Sequence, residues 1–496
     1  MNILVIDIGT SSMRGILFSS TGERLFCAQI QYQPSYISKE EVEQNVWDWQ
    51  SAIINIVKNV VLTNESVDAI TVTAQRSSII PVDKDGIPLS PAIMWQDRRA
   101  SSICSELEAH NNTIFERCGS KVNPVFSGCK MAWIKKEKPE VYNKVYKFVN
   151  IPEYIFHYMT GEYNTDHTYG SRSNLMNIHE RKWDKTLLDL FGIPEDFLCI
   201  LNEPGSIIGK TSKTFSSLTG IQTGVPVITA GGDQQCAALG QGVYKEGILS
   251  VVLGTGGFLV THLETVPSAL KEDLICNCSS LPKKYILEAN ILACSSAFDW
   301  FYRNFYDNGR TSIEMLDEEL ENEYHKENDS IVLPFFQGRT TPDWNSAAKA
   351  VFANIDLSTT RSGLLKSLVE GICLEINSNI QLIKQYTDIN QIVISGGLSK
   401  SKIINQIFSD VSGHKVVRLE NTESTSVGAL ITALCTFNVF DDPEQAFIKL
   451  RKNDVRDEII PNSAKAANYA ERQREMNELY NKIYNPSQGG YYGKDF

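Results

Sequence analysis

The chain has 496 residues, 42% of them hydrophobic, enough for two or three domains with cores of their own. It is acidic, with 59 Asp and Glu against 47 Lys and Arg and a formal net charge of −12, which argues against a broad nucleic-acid-binding face. The densest basic stretch, KKEKPEVYNKVYK, mixes in acids and reads as a solvated helix face. Eleven cysteines without a CxxC pair, Cys276 and Cys278 being the nearest neighbours, read as free thiols of a reducing compartment rather than zinc ligands. No run approaches the ~20 apolar residues of a membrane helix. No positively charged leader precedes the first apolar run, so a cytoplasmic protein without membrane or nucleic-acid partners is expected.

In chain order, ILVIDIGTSSMRGILF predicts a hairpin with strands at 3–6 and 15–18 around a turn at 7–12, then a third strand near 25–31. The turn is not a G-x-G-x-x-G dinucleotide loop, because Gly9 is followed by Gly15 and a second strand instead of a crossover helix. Taken alone it reads equally well as an ordinary turn. VWDWQSAIINIVKNVV has helical apolar spacing, VDAITVTAQ reads as a buried strand, and GIPLSPAIMWQDRRAS as a strand followed by a helix start. GSIIGKT, at 205–211, is one residue short of a Walker A loop and follows a turn, so it reads as loop and edge strand.

ILSVVLGTGGFLVTHL, at 248–263, repeats the pattern of the first hairpin, with Gly254-Thr255 matching Gly9-Thr10. Such a repeat points to two homologous halves, the alternative being chance similarity of two short hairpins. GLLKSLVEGICLEINSNIQLIKQY predicts a long helix and QIVISGG a buried strand ending in a Gly-Gly bend, where open α/β sheets place ligands. STSVGALITALCTF predicts a helix with residues small enough for close packing. AKAANYAERQREMNELYNKIY predicts a last helix with Tyr469, Met476, Leu479 and Ile483 on one face, and NPSQGGYYGKDF a mobile terminus. Two α/β halves with ligand turns imply a cleft.

Six motifs in order resemble the FGGY carbohydrate kinases of the actin, hexokinase and heat-shock ATPase superfamily. DIGTSSMR resembles the first phosphate motif, TAQRS and AIMWQDRRA the sugar-contacting segments, and TAGGDQQCAALGQG the catalytic-Asp segment. SVVLGTGGF resembles the second phosphate motif and VISGGLSKS the adenosine motif. The resemblance implies an α/β fold of two actin-like (ribonuclease H-like) domains facing each other across a cleft. It implies a sugar-binding domain at 1–242, a nucleotide-binding domain at 243–455 and a helix and tail at 456–496. The implied activity is ATP-dependent phosphorylation of a sugar or polyol hydroxyl, in a homodimer by family analogy.

By that resemblance Thr10, Ser11, Ser12 and Arg14 on one side and Gly254, Thr255 and Gly256 on the other cradle the phosphates. Ser295 and Asp299 fall near the ribose or base, and Gly396, Gly397 and Ser401 at the adenine. Arg14 reads otherwise as a solvated surface group. Asp7 beside phosphates would repel them unless Mg²⁺ bridges, held partly through water. Asp233 is the expected general base, its pKa expected near the ordinary acid range so that it mostly orients the hydroxyl; without the family it reads as a helix N-cap. Gly231 and Gly232 are expected to let the backbone approach the substrate. Gln75, Arg76, Trp95, Gln234 and Phe258 are the expected sugar contacts, with core packing as the plainer reading, strongest for Trp95 and Phe258.

The substrate stays open. The glycerol kinase branch, which AQRSS, WQDRR and GGDQQ resemble, has Glu where this chain has Ser77 and Tyr where it has Val125, and the Gln-Met-His-Gly segment of xylulokinases is missing. Glycerol kinase, xylulokinase and a non-catalytic ATP- or sugar-binding relative remain the alternatives.

Overall fold

The computed structural model describes all residues except 272, 307–312, 328, 420–422, 453, 455 and 486–496. The predicted mobile terminus lies outside the described residues apart from Asn485.

The opening hairpin forms from Asn2–Ile8 and Ser12–Ser19, paired antiparallel with Asp7 opposite Arg14, and Arg24–Gln31 adds the third strand. The turn is tighter than its sequence implies, because Asp7 and Ile8 still belong to the strand. Asn2–Ile8 is covered on both faces, hence its continuous apolar run, whereas the edge strand Arg24–Gln31 alternates toward solvent. The predicted first helix is Val46–Val61, capped by the Asn45 side chain accepting from the Trp47 amide. It lies so close to the sheet that a Cβ at Gly15 would sit 2.2 Å from Ile56 Cγ2.

Six strands make the first sheet, in the order Ile207–Lys210, Pro226–Gly232, Ala69–Ala74, Asn2–Ile8, Ser12–Ser19, Arg24–Gln31. The decoy GSIIGKT is thus an edge strand, as read. The second sheet is Ile275–Cys278, Tyr285–Ile291, Gly257–Leu263, Gly247–Leu253, Ile389–Ser395, Val416–Leu419, Arg456–Ile459.

Walking out from either hairpin gives one pattern. The first hairpin strand pairs parallel with a strand from later in the chain (Ala69–Ala74 or Ile389–Ser395). A second parallel strand follows (Pro226–Gly232 or Val416–Leu419), then an antiparallel edge. The internal repeat is therefore a repeat of topology, and these are the two actin-like sheets that the motifs imply.

The halves meet through two helices. Asp233–Gly240 and Ser424–Thr436 cross so tightly that a Cβ on Gly240 would lie 1.9 Å from the Ser424 carbonyl oxygen, and one on Gly428 1.8 Å from that of Cys236. The long helix Arg361–Ile383 backs the second sheet. The last helix, Ser463–Tyr484, buries Tyr469, Met476 and Tyr480. Leu479 and Ile483 are only half-buried, so Tyr480, which hydrogen-bonds Asn345, is the residue that completes the face. All eleven cysteines are free. No helix among the described residues is long and apolar enough to cross a membrane.

Candidate active site

The two hairpin turns are built alike. Gly9 N donates to Ser12 O at 2.9 Å, and Gly254 N to Gly256 O at 3.1 Å. Thr255 and Ser11 are exposed at their tips. In the first turn Gly9 O accepts from Tyr32 Oη at 2.9 Å and Gln75 Nε2 at 3.3 Å, while Thr10 Oγ1 accepts from Trp95 Nε1 at 3.1 Å. Gln75 and Trp95, expected as sugar contacts, therefore grip the first phosphate turn with their donors. Ser12 Oγ accepts from Gln29 Nε2 at 2.9 Å, and Arg14 contacts Gln29 Oε1 at 3.1 Å and Glu423 Oε1 at 3.4 Å. Arg14 is half-buried in an ion pair, not a solvated surface group.

The second turn is held by the start of helix Ser295–Phe305. Ser295 N donates to Gly254 O at 2.8 Å, and Cys294 N to Thr255 O at 2.9 Å. This places Ser295 against the phosphate turn, with Asp299 exposed one turn along the helix. The Gly-Gly bend meets the same turn: Gly396 has φ +96°, and a Cβ there would lie 2.4 Å from Leu253 O. Gly397 has φ −60° and open space around its Cα, so the conformational demand of the bend falls on Gly396. Ser401 accepts from Ile404 N at 3.2 Å as a helix N-cap and donates to Asp317 at 2.6 Å. Its hydroxyl proton is thus committed inside the protein, which leaves it only as an acceptor toward the expected adenine.

Asp233 opens a helix whose N-cap is Gly232, so the plain capping role falls away. Its Oδ1 accepts from the Gln234 amide at 2.8 Å and faces Arg76 Nε at 3.5 Å. The GGD bend is fixed from behind: Gly231 has φ +105°, Tyr169 Oη donates to Gly231 O at 2.9 Å, and Gly232 N donates to Thr168 Oγ1 at 2.9 Å. A Cβ on Gly232 would lie 2.6 Å from Arg76 Cδ, so this glycine makes room for the arginine, not directly for a substrate.

From Arg76 the chain of charges crosses to the second sheet. Arg76 Nη1 meets Glu288 Oε1 at 2.5 Å, and Glu288 Oε2 meets Arg172 Nη1 at 3.3 Å. The Arg172 guanidinium lies 4.6 Å from the Phe126 ring centroid. Arg76, Arg172, Gln234, Phe258, Glu288 and Asn290 line one cavity, which brings Arg76, Gln234 and Phe258, three of the expected sugar contacts, together. Glu288 and Arg172 were missed by the motifs. The available signal was a carboxylate in the apolar strand YILEANI, where an ionised group is tolerated only if paired.

Burial raises the Asp233 carboxyl above the usual range, against the pull of Arg76. This corrects the expectation of an ordinary acidity. Burial also acts on Glu288, but Arg76 and then Arg172 outweigh it and hold that carboxyl low. Asp7 rises to about 7, first through burial and then through the nearby Asp233, with Arg14 opposing. Among the described residues no group of three or more His, Cys, Asp and Glu forms a metal cage. Asp7 beside the Gly9–Ser12 turn, with Asp233 near enough to raise it, is a carboxylate set small enough to suit Mg²⁺ held mainly through water and phosphate oxygens, the manner in which that ion is usually bound beside nucleotides.

Models of the N-terminal and C-terminal domains of the FGGY family of carbohydrate kinases match residues 2–240 and 249–437. The chain belongs to this family. This FGGY kinase is 30% identical over 494 residues to glycerol kinase 2 of Saccharolobus solfataricus, covering 96% of this chain and 95% of that one. Its fold matches xylulose kinase of Lactobacillus acidophilus with a TM-score of 0.90 at 20% identity, covering 97% of this chain and 98% of that one. Gluconate kinase of the same organism matches equally, with a TM-score of 0.90, 21% identity and coverage of 97% and 98%. As a carbohydrate kinase the protein transfers a phosphoryl group to an alcohol.

Proposed function

We propose that this FGGY kinase phosphorylates a hydroxyl of a sugar or polyol with ATP, using Asp233 as general base. The observation that carries the reading is the placement of Asp233: half-buried at a helix start, its acidity lowered by burial, and steered by Arg76. A carboxyl above the ordinary range is a better proton acceptor as the O–P bond forms, and Arg76 holds its Oδ1 while leaving the other oxygen for the substrate hydroxyl. The backbone amides and hydroxyls of the turns at 9–12 and 254–256 are suited to the phosphates. Gly397, with open space around its Cα, leaves room for the base. Asp7 is the residue suited to hold Mg²⁺, which supplies neutralisation of phosphate charge when bound.

On this reading the sugar site belongs to a domain at 1–242 and the nucleotide site to one at 243–455, with 456–496 as helix and tail. A cytoplasmic homodimer completes the proposal.

The test is ADP release over glycerol, tetritols, pentitols, pentuloses and hexuloses. At least one should turn over, and Asp233→Asn should lower kcat by about 10²–10⁴ with ADP affinity retained. Loss of turnover and of nucleotide binding together counts against the assignment.

A further inference from the structure

Two cysteines that phosphoryl transfer does not use stand sulfur to sulfur. Cys104 lies on helix Ser101–Leu107 and Cys129 on helix Ser127–Glu137, 25 positions apart in the chain, and their Sγ atoms are 3.4 Å apart. This is a non-bonded contact between free thiols. A disulfide, at about 2 Å, needs the sulfurs to close by only about 1.4 Å. Other buried thiols face oxygens instead: Cys118 meets Ser120 O at 3.2 Å, Cys236 meets Ala230 O at 3.4 Å, and Cys199 meets Glu153 Oε2 at 3.6 Å.

The two thiols are unequal. Cys129 is buried, and burial pushes its thiol well above the ordinary range, whereas Cys104 is partly exposed. A reagent from solvent therefore meets Cys104 first, with Cys129 directly behind it as the resolving thiol. The Cys129 end is fastened to the cavity of Arg76 and Arg172. Phe126, the N-cap residue of its helix, carries the ring that lies against the Arg172 guanidinium. Gly128 N donates to Ser173 O at 2.9 Å, and a Cβ on Gly128 would lie 2.5 Å from that oxygen, so the helix start has no slack against the residue after Arg172. Lys130 Nζ donates to Pro124 O at 2.7 Å and Val125 O at 2.6 Å, tying the approach to the same helix. The Cys104 end is pinned just before its helix, where Arg99 Nη1 meets Glu43 at 2.8 Å and Asp97 Oδ2 accepts from Val42 N at 2.7 Å.

We propose that Cys104 and Cys129 are a reversible oxidation site closed by a low-molecular-weight disulfide, and that closure shifts Phe126 against Arg172 and so weakens use of the acceptor. The Cys104 thiolate attacks the small disulfide, forming a mixed disulfide and releasing one thiolate. The Cys129 sulfur then attacks Cys104 Sγ, the bond from Cys104 to the small thiol breaks, and the second thiolate leaves. The two protons of the protein thiols end on the two released thiols, so two protein thiols are oxidised and one small disulfide is reduced. Excess small thiol runs both steps backwards. Two thiols that rest reduced, in contact and partly open to solvent make a redox-sensing pair rather than a structural bond. The oxidation site itself is independent of the role of Asp233; only the effect on the acceptor rests on the proposed function.

The experiment treats the full-length protein with oxidised glutathione and maps its cysteines by peptide mass spectrometry, beside Cys104→Ser and Cys129→Ser. Wild type should show a bond between Cys104 and Cys129 with no glutathione kept on either. Cys129→Ser should keep one glutathione on Cys104, and Cys104→Ser should leave Cys129 reduced. Because Cys104 is partly exposed, Cys104→Ser decides the matter even where Cys129→Ser does not fold. Amide exchange at Phe126 and Gly128 should change on oxidation and return with dithiothreitol. With an acceptor that turns over, its kcat/KM should fall about tenfold or more in the oxidised wild type, the KM for ATP should stay in place, and Cys104→Ser should keep its activity. A missing bond, or glutathione retained on Cys104 of wild type, overturns the site. Unaltered exchange at Phe126 and Gly128, or an equal loss of activity in Cys104→Ser, overturns the coupling to the acceptor. Absence of turnover with every acceptor overturns the kinase reading alone, because bond and exchange are read without turnover.

Discussion

Asp7 is the residue whose protonation the site leaves most finely poised. Its carboxyl lies at about 7 in the fold, against about 4 in an unfolded chain. Between those values the folded protein keeps a proton that the unfolded chain has lost, so this residue's contribution to stability falls as pH rises through that window and is level above it. Asp7→Asn removes the titration. In thermal melts of the unliganded protein its advantage over wild type should grow from about pH 5 to pH 7 and then stop growing. A wild type that instead gains on the variant as pH rises would show that Asp7 is stabilised as the anion. Trp95 is informative in another way, because its indole N–H is given to Thr10 in the turn proposed to cradle the phosphates. Trp95→Phe should raise the KM for ATP about three- to tenfold, the equivalent of one hydrogen bond, and an effect on the sugar KM alone would return Trp95 to the sugar contacts.

At the scale of elements, the crossing of helices Asp233–Gly240 and Ser424–Thr436 ties the Asp233 carboxylate, the proposed base, to the second half of the chain. The small-residue composition of STSVGALITALCTF made close packing legible; its partner was not, since nothing in GGDQQCAALG names the helix that crosses it. Gly428→Ala places a methyl group against backbone, which cannot rotate away as a side chain would. The helices must part, at a cost of about 1–3 kcal/mol or more, so the melting temperature and kcat should fall together. Retention of both would mean the crossing is loose. The hairpins were legible because each carries its own apolar run and Gly-Thr turn. The capping role of Ser401 was not, because a serine after a Gly-Gly bend reads the same whether it faces a ligand or the helix it starts.

Across the whole molecule the two halves share one charge relay. Arg76 and Arg172 come from the first sheet's side and Glu288 from a strand of the second. Removing the shared carboxylate leaves two buried guanidinium groups without their common counter-charge. Glu288→Gln should therefore cost about 3 kcal/mol of stability and weaken sugar binding more than nucleotide binding. An unchanged melting curve would show that solvent reaches the pair. Because these charges join the halves at the cavity proposed for the substrate, substrate and nucleotide together should also slow amide exchange in the strand Tyr285–Ile291 more than either does alone.

The amino-acid sequence by itself determined the two hairpins, the order of the motifs and the small-residue helix, because each is carried by neighbours in the chain. Only the tertiary structure decided that Gln75 and Trp95 hold the Gly9–Ser12 turn, that Gly396 carries the conformational demand of the bend, and that Glu288 meets Arg76 212 positions away. The physical reason is range. Apolar period, turn chemistry and capping act over a few residues, whereas the acidity of Asp233 and the pairing of Glu288 depend on burial and on charges that only the packing of two sheets brings together.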